Sequence, residues 1–480
     1  RARRARALSR AGRRWWRAGG TVLLALLLVG VAAGPAAAHA ELVSSSPAAG
    51  SVQAEAPAGV EVRFDELVEA DQAQLDVVGP DGHRLDGVAV VSHPSDGHEL
   101  QAQLPTGLAP GTYQVRFHVL SVDGHPVGGA FRFAIGAPTL PLDAAISTSG
   151  GVPTALGGIG RALGDIGLLA LVGLTAFPWL VLRPAARQLP PEHLDATRVR
   201  VSSRLWTGQL AAAGLAIVGA LLLLVDSAAQ SRGFAAGSVA GHLGDVGQLV
   251  TGTRPGHLLG ARLLGLAAAV GLLLRARPGR RRTTGAPADA ALALLPLALL
   301  TTVSLASHAA VASTHAALGV ALDWTHLLAA GVWTGGLLAL ALAAMPAARE
   351  LVHLDEQAAA GTAAAFTGAF ARTAQLAMLT VLLTGAYPAL SNIHGPTQLR
   401  TNWGVELAIK LALWVTVLLV AAFATFWTVP RMSARAASVS ARLTACGDLA
   451  SAVRIELALA AALVVVAAVL AGTALPDQLV

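Results

Sequence analysis

Thr112-Tyr113-Gln114-Val115-Arg116-Phe117 alternates apolar and polar side chains with the period of two that a half-buried β-strand requires. A turn-rich stretch follows, Ser121-Val122-Asp123-Gly124-His125-Pro126-Val127-Gly128-Gly129. Within it one glycine separates Asp123 from His125, so a tight turn can aim both side chains at one point. Working outward, β-type runs recur at Val60–Phe64, Gln74–Val78, Val88–Val91, Glu99–Leu104 and Ala130–Ile135. Turn signals such as Gly79-Pro80-Asp81-Gly82 and Ala109-Pro110-Gly111 break them. Short strands at this spacing, with no helical period, predict an all-β sandwich of Ig-like or Greek-key type over residues 39–138. Its stability must come from an apolar core, because Cys446 is the only cysteine and no intramolecular disulfide can form.

Upstream, an arginine-rich run from Arg1 to Arg17 precedes an apolar segment, Thr21 to Val31, and the small-residue site Ala36-Ala37-Ala38. That order predicts a signal peptide over residues 1–38, cut after Ala38. Arg13-Arg14 before Trp15-Trp16 leaves both the general and the twin-arginine export routes open. Cleavage would make His39 the first residue, offering a free amine and an imidazole nitrogen to one metal ion. An α-amine with a pKa of roughly 7.7–8 can yield its proton to a metal near neutral pH. With Asp123 and His125 the donors form an N,O set suited to Cu(II). Neither methionine nor cysteine occurs between His39 and Pro138, so soft donors for Cu(I) are absent there. The bland alternatives are that His39 merely marks the end of the signal and that Asp-Gly-His-Pro is an ordinary turn.

The span from His39 to Ile135 resembles the CopC copper-binding proteins. The resemblance rests on His39-Ala40-Glu41-Leu42, Ser46-Pro47-Ala48-Ala49-Gly50, Val62-Arg63-Phe64-Asp65-Glu66, Gly111-Thr112-Tyr113 and Ser121–Gly129. It implies a small β-barrel binding Cu(II) through His39, Asp123 and His125. His83, His93, His98 and His118 match no ligand of that family and read as surface or packing residues.

After a Pro/Gly/Ser/Thr-rich linker, 139–156, the chain changes character. Of its 480 residues 54% are hydrophobic and 13% charged, and the mean hydropathy is +0.60. This composition predicts a polytopic membrane protein with room for one soluble domain. Apolar spans near 159–182, 208–226, 258–274, 289–307, 318–345, 372–390, 405–428 and 453–474 predict an all-α bundle of eight helices within 157–476. If the β domain lies outside, connections 183–206, 275–288, 346–372 and 429–454 lie inside and hold 16 arginines, against three in the outer connections. The positive-inside rule thus agrees with the signal peptide on one topology, and the resemblance implies the plasma membrane of a bacterium with the β domain outside. The net charge of +6 follows these loops and offers nothing to nucleic acid.

With that topology Asp323 and His326 lie three residues apart on one helix face near the outer end of the fifth span. A carboxylate inside a span costs roughly 2.5–3.5 kcal/mol on insertion scales, so it needs a partner or a task. His308 closes the fourth span on the same side, His315 lies in the loop between, and His394 lies beyond the sixth span. Gly331, Gly335 and Gly336 around Trp333 give the fifth helix a narrow face for close packing. Glu406 and Lys410 read as an i,i+4 ion pair, and Arg262 and Asp165 are placed to neutralise one another or the pathway. Glu456, beside Arg454, reads as interfacial, and Cys446 as an incidental residue of an inner loop.

This half resembles the CopD copper-resistance membrane proteins. The resemblance rests on Ser307-His308-Ala309, Asp323-x-x-His326, Val332-Trp333-x-Gly335-Gly336-Leu337, Thr384-Gly385 and Thr401-x-Trp403-Gly404 followed by Lys410. A fused CopC–CopD chain implies copper import without enzymatic chemistry, and the gathering of histidines at one mouth adds a path for Cu(II) or Cu(I) by His308, Asp323 and His326, with His315 and His394 as weaker stations. The partners it implies are copper, the lipid bilayer and a copper chaperone or reductase. No Walker motif is present, so a gradient or copper trapping inside would drive movement. Two other readings are a copper-sequestering or sensing protein that transports nothing, and a membrane redox protein carrying haem.

Overall fold

The computed structural model describes residues 42–65, 67–92, 97–122, 126–142, 149–150, 154–189, 191–230, 243–278, 286–307, 316–353, 355–391, 402–433 and 438–470. Nine strands come first: β1 (Leu42–Ser46), β2 (Val52–Gln53), β3 (Gly59–Phe64), β4 (Val68–Val78), β5 (Ala89–Ser92), β6 (Glu99–Gln103), β7 (Gly111–Ser121), β8 (Pro126–Ile135) and β9 (Ser149–Gly150). They form one sheet in the order β1-β3-β6-β5 and another in the order β2-β8-β7-β4, with β9 on β8. The alternation seen in β7 does what its period requires. Tyr113, Val115, Phe117 and Val119 are buried, and they meet Val60, Val62, Phe64, Leu100, Phe131 and Phe133 in one apolar core. Phe64 and Phe117 meet edge to face across that core. Tyr113 spends its hydroxyl on the Ala109 carbonyl, 2.7 Å away, which ties the strand to the preceding turn. Part of the stretch after β8 is also fixed to the sandwich: Thr139 and Thr112 exchange hydrogen bonds of 3.0 Å, and β9 pairs with Val127 and Gly128.

Among the described residues nine helices follow. They are α1 (Ala155–Phe177, continuing through a π-helical turn to Ala186), α2 (Pro191–Gln230), α3 (Leu243–Gly252), α4 (Arg254–Arg275), α5 (Ala286–Ser304) and α6 (Ala316–Ala339, continuing through a π-helical turn). The last three are α7 (Glu356–Ser391), α8 (Asn402–Phe423, again continuing through a π-helical turn) and α9 (Val439–Leu470). Among the described residues seven helices are long and apolar enough to cross a membrane. The expected count of eight crossings is corrected at the fourth, where α5 is a shorter apolar helix. Its 19 residues rise about 28 Å, just under the ~30 Å of a hydrocarbon core, and Pro296 interrupts its hydrogen-bond ladder. The short helix α3 was not expected. Leucines such as Leu264, Leu376 and Leu419 stay exposed on the rim of the bundle, as a lipid-facing surface allows.

Close packing centres on α1 and runs through glycine. A Cβ on Gly173 would fall 2.3 Å from the Gly331 carbonyl oxygen, and one on Gly335 would fall 2.7 Å from the Cα of Gly173. Gly219 of α2 approaches Gly160 and Gly164 of α1 in the same way. The π-helical turns at Pro178–Leu182, Leu340–Ala344 and Ala424–Thr428 each insert an extra residue per turn late in their helices. Two sequence expectations change here. Glu456 is 4% exposed and lies in the middle of the crossing Thr444–Ala468, so it is buried rather than interfacial. Cys446 belongs to α9, because that helix begins well before the apolar segment does.

Candidate metal centre

His39, Asp123 and His125 lie outside the described residues, as do His308, His315 and His394. The strands around the first three are described, and they bring two of the sequence stretches together. Leu120 pairs with Pro126, so residues 121–125 form the short connection between β7 and β8. At the same end of the sandwich β1 starts, with Leu42 opposite Phe64. Four residues beyond Phe64, Val68 pairs with Ser121, and the Val122 amide donates to the Leu67 carbonyl at 3.0 Å. The start of β1 and the facing ends of β7 and β8 therefore share one end of the sandwich.

That end sits on the helices. Leu120, 2% exposed, packs with Leu224 and Ala228 of α2, Leu249 of α3 and Leu259 of α4. Its cross-strand neighbour Glu69 accepts the Arg254 amide at 3.0 Å, a carboxylate placed on the first turn of α4. One more contact comes from His118, whose Nε2–H donates to the Gln230 carbonyl at 2.8 Å. Burial holds the His118 pKa below its ordinary 6.5, although that carbonyl works the other way. Asp226 completes the joint, binding the Thr154 hydroxyl that caps α1 and the Gln230 side-chain amide. Sequence reading took His118 for a packing residue and missed that its packing partner is the other half of the chain.

Inside the bundle Asp323 and His326 share a face of α6 and meet groups from four other helices, α1, α5, α7 and α8. His326 Nδ1 lies 3.0 Å from Thr384 Oγ1 of α7, and Thr384 donates its own proton to the Thr380 carbonyl at 2.7 Å. A hydroxyl has one proton, so Thr384 accepts and the neutral ring carries its hydrogen on Nδ1. The lone pair is thereby left on Nε2, the arrangement that a metal-binding imidazole needs. Gly385 makes room for this pose, since a Cβ there would sit 3.2 Å from His326 Cε1. The Thr384-Gly385 pair thus has a physical use: one residue sets the tautomer and the other clears the ring.

Asp323 Oδ2 and the Oγ of Ser304 on α5 are both buried, and Ser304 is the hydroxyl that neighbours the Asp323 carboxyl group. Lys410 of α8 lies close enough to act on the charges of both Asp323 and His326. It had been read from sequence as the partner of Glu406, whose side chain lies outside the described residues. Asp165 of α1 faces Arg262 of α4 and also senses Asp323. Arg262 is clamped, its Nε and Nη2 donating to the hydroxyl and carbonyl of Thr302, each at 3.0 Å. Asp165 and Asp323 stand level because each precedes by eight residues the glycines at which α1 and α6 touch, Gly173 and Gly331. Among the described residues no three of His, Cys, Asp and Glu come together as a metal cage. Asp323 and His326 are thus a carboxylate and an imidazole on one face of α6, three residues apart.

Residues 42–136 match the family model described as the CopC domain, and residues 364–470 match that described as copper resistance protein D. The chain is 28% identical over 415 residues to the copper transport protein CutJ of Bacillus subtilis (strain 168), covering 85% of this chain and 70% of that one. It is 35% identical over 105 residues to copper resistance protein C of Pseudomonas syringae pv. tomato, covering 21% of this chain and 82% of that one. Among solved structures, CopC from Methylosinus trichosporium OB3b aligns at 33% identity with a TM-score of 0.19, covering 21% of this chain and 97% of that one.

Proposed function

The chain belongs to the CopC copper-resistance family, carrying a CopC domain fused to a CopD membrane domain, and from that premise we propose that it moves copper inward across the cytoplasmic membrane. It is a copper transport and resistance protein with a multi-pass membrane half. In our reading the signal over 1–38 is removed, the β domain lies outside, and His39, Asp123 and His125 capture Cu(II). The observation that carries the reading is the joint between the halves. The sandwich rests on the bundle by the end that bears the 121–125 connection, through Leu120, Glu69 and His118. A domain that only stored copper would have no need to turn that end toward the helices.

From the joint, copper would pass to His308, then to Asp323 and His326, with His315 and His394 as further donors. The capture end and the Asp323–His326 pair both belong to the part of the bundle where α4 begins and α5 ends. Arg254 at the first turn of α4 donates to the Leu305 carbonyl, and Arg262 two turns on reaches Thr302. Asp323 supplies negative charge for a cation in a low-dielectric setting, and His326 supplies a neutral nitrogen of fixed tautomer. Either oxidation state could use an imidazole; the carboxylate favours Cu(II).

Copper uptake by proteoliposomes holding the full-length protein tests this. His125→Ala should lower uptake at low external copper and recover at high, because capture is lost and the path is kept. Asp323→Ala and His326→Ala should lower uptake at both. If these two accumulate copper normally, or if overexpression in cells lowers internal copper, import is the wrong reading and sequestration or efflux takes its place.

A further inference from the structure

At its arginine-rich end α6 continues past the π-helical turn as Met345–Glu350 and touches α2 on one side and α9 on another. The two contacts are built differently. Toward α2, Glu350 accepts from Arg200 Nε at 3.1 Å and also pairs with Arg204, one carboxylate between two guanidiniums. Toward α9, Arg349 and Arg454 line a single cavity of about 60 Å³ together with Ala341, Met345, Ala450 and Val453. That lining holds two guanidiniums and no carboxylate.

Sequence spacing builds the cavity. Ala341, Met345 and Arg349 follow one another at intervals of four, as do Ala450 and Arg454, so each set forms one stripe of its helix. Arg454 turns back along α9, its Nε donating to the Ala450 carbonyl at 2.8 Å and its Nη2 to Ser451 Oγ at 3.4 Å. Its charged end therefore runs toward the start of α9, the arginine-rich side of the bundle. The acids close in sequence are engaged or turned away. Glu350 is held by Arg200 and Arg204, and Asp448 stands two residues before Ala450, about 200° round the helix. Like charges set against one another repel, and an anion between them replaces the repulsion by charge-assisted hydrogen bonds to both. The cavity well exceeds the roughly 10–15 Å³ that one water needs, so it admits a larger group. Four of its six lining residues are apolar, and the next residue along, Leu342, is half-exposed on the rim of the bundle. Guanidiniums beside apolar walls at the end of a crossing match a lipid phosphate and the chains below it, whereas a free phosphate would leave those walls uncovered.

We propose that the cavity between the continuation of α6 and α9 binds the phosphate of an anionic phospholipid, with Arg349 and Arg454 gripping its oxygens and Ala341, Met345, Ala450 and Val453 meeting its apolar part. The lipid does at the α9 contact what Glu350 does at the α2 contact, supplying the negative charge that holds this end of α6 in place. The inference rests on the membrane placement of the bundle and not on the path or direction that copper takes.

The test is the melting temperature of purified full-length protein in a neutral detergent, with phosphatidylglycerol, phosphatidylcholine or inorganic phosphate added separately. Phosphatidylglycerol should raise it by several degrees and the other two by little. Arg349→Gln combined with Arg454→Gln should lose most of that rise. Without lipid the double variant should melt no lower than its parent, because it removes two like charges from one cavity. Arg349→Gln alone alters an exposed residue, remains informative should the double variant not fold, and should lose a large part of the rise. Arg198→Gln removes one exposed charge from the same side of the bundle and should keep the full rise. The inference is overturned if the Arg349 and Arg454 variants gain as much from phosphatidylglycerol as the parent does. It is overturned equally if Arg198→Gln loses as much as Arg349→Gln, since surface charge in general would then be the cause. A lower melting point of the lipid-free double variant would make the two arginines structural and sink the like-charge argument. An equal rise with inorganic phosphate would overturn the lipid as occupant and put a free anion in its place.

Discussion

Leu120→Ala should uncouple the two halves of this chain while leaving each intact. Leu120 is 2% exposed, yet it belongs to the cluster with Leu224, Ala228, Leu249 and Leu259 and not to the core of the sandwich. Truncating a buried leucine to alanine costs about 2–5 kcal/mol where the surroundings cannot collapse. Here most of that loss falls on the docked state, because the sandwich core does not include the residue. A docking equilibrium weakened by about 3 kcal/mol shifts by more than a hundredfold. Limited proteolysis and interdomain crosslinking of the full-length protein report docking, and Cu(II) titration reports the capture site. Docking should fall sharply with Cu(II) binding unchanged. Leu249→Ala, made alone and together with Leu120→Ala, closes a cycle, and residues in contact should couple by about 0.5–3 kcal/mol. Full additivity, or a loss of Cu(II) binding equal to the loss of docking, would refute the claim that Leu120 acts between the halves.

Thr384→Val keeps the volume of the side chain and removes the acceptor of the His326 proton; copper affinity at the membrane site should drop about 10–100-fold, with Thr384→Ser close to the parent. Gly335→Ala forces a Cβ to within 2.7 Å of backbone on α1 and should lower the melting temperature in detergent, at a cost of about 1–3 kcal/mol. The joint should also depend on pH through His118, whose pKa burial holds below 6.5. A depressed pKa means that the docked state favours the neutral ring, so docking is complete above pH 6.5 and weakens as the pH falls below it. Crosslinking yield measured from pH 8 to pH 5 should decline for the parent chain, and His118→Gln should flatten the profile.

Much of the architecture was legible in the sequence, because two periods announced it. Alternation through Thr112–Phe117 named the buried face of β7, and long apolar runs named the crossings, both being properties of consecutive residues. The pairing of Asp323 with His326 on one face was legible for the same reason, since helical spacing is local. Local rules also set the limits. They overcounted the full-length crossings, because α5 ends at Ser304, and they called Glu456 interfacial, because burial depends on what packs around a helix. They could not join Lys410 to Asp323, which are 87 positions apart, nor give Thr384 and Gly385 their work on the His326 ring. Nor could they see that His118, Leu120 and Glu69 face the helices and not water. Composition and periodicity determine which segments form strands and crossings. Which charges neutralise one another, which tautomer an imidazole holds and which end of a domain meets the membrane half depend on distances between remote residues, and only the tertiary structure decides those.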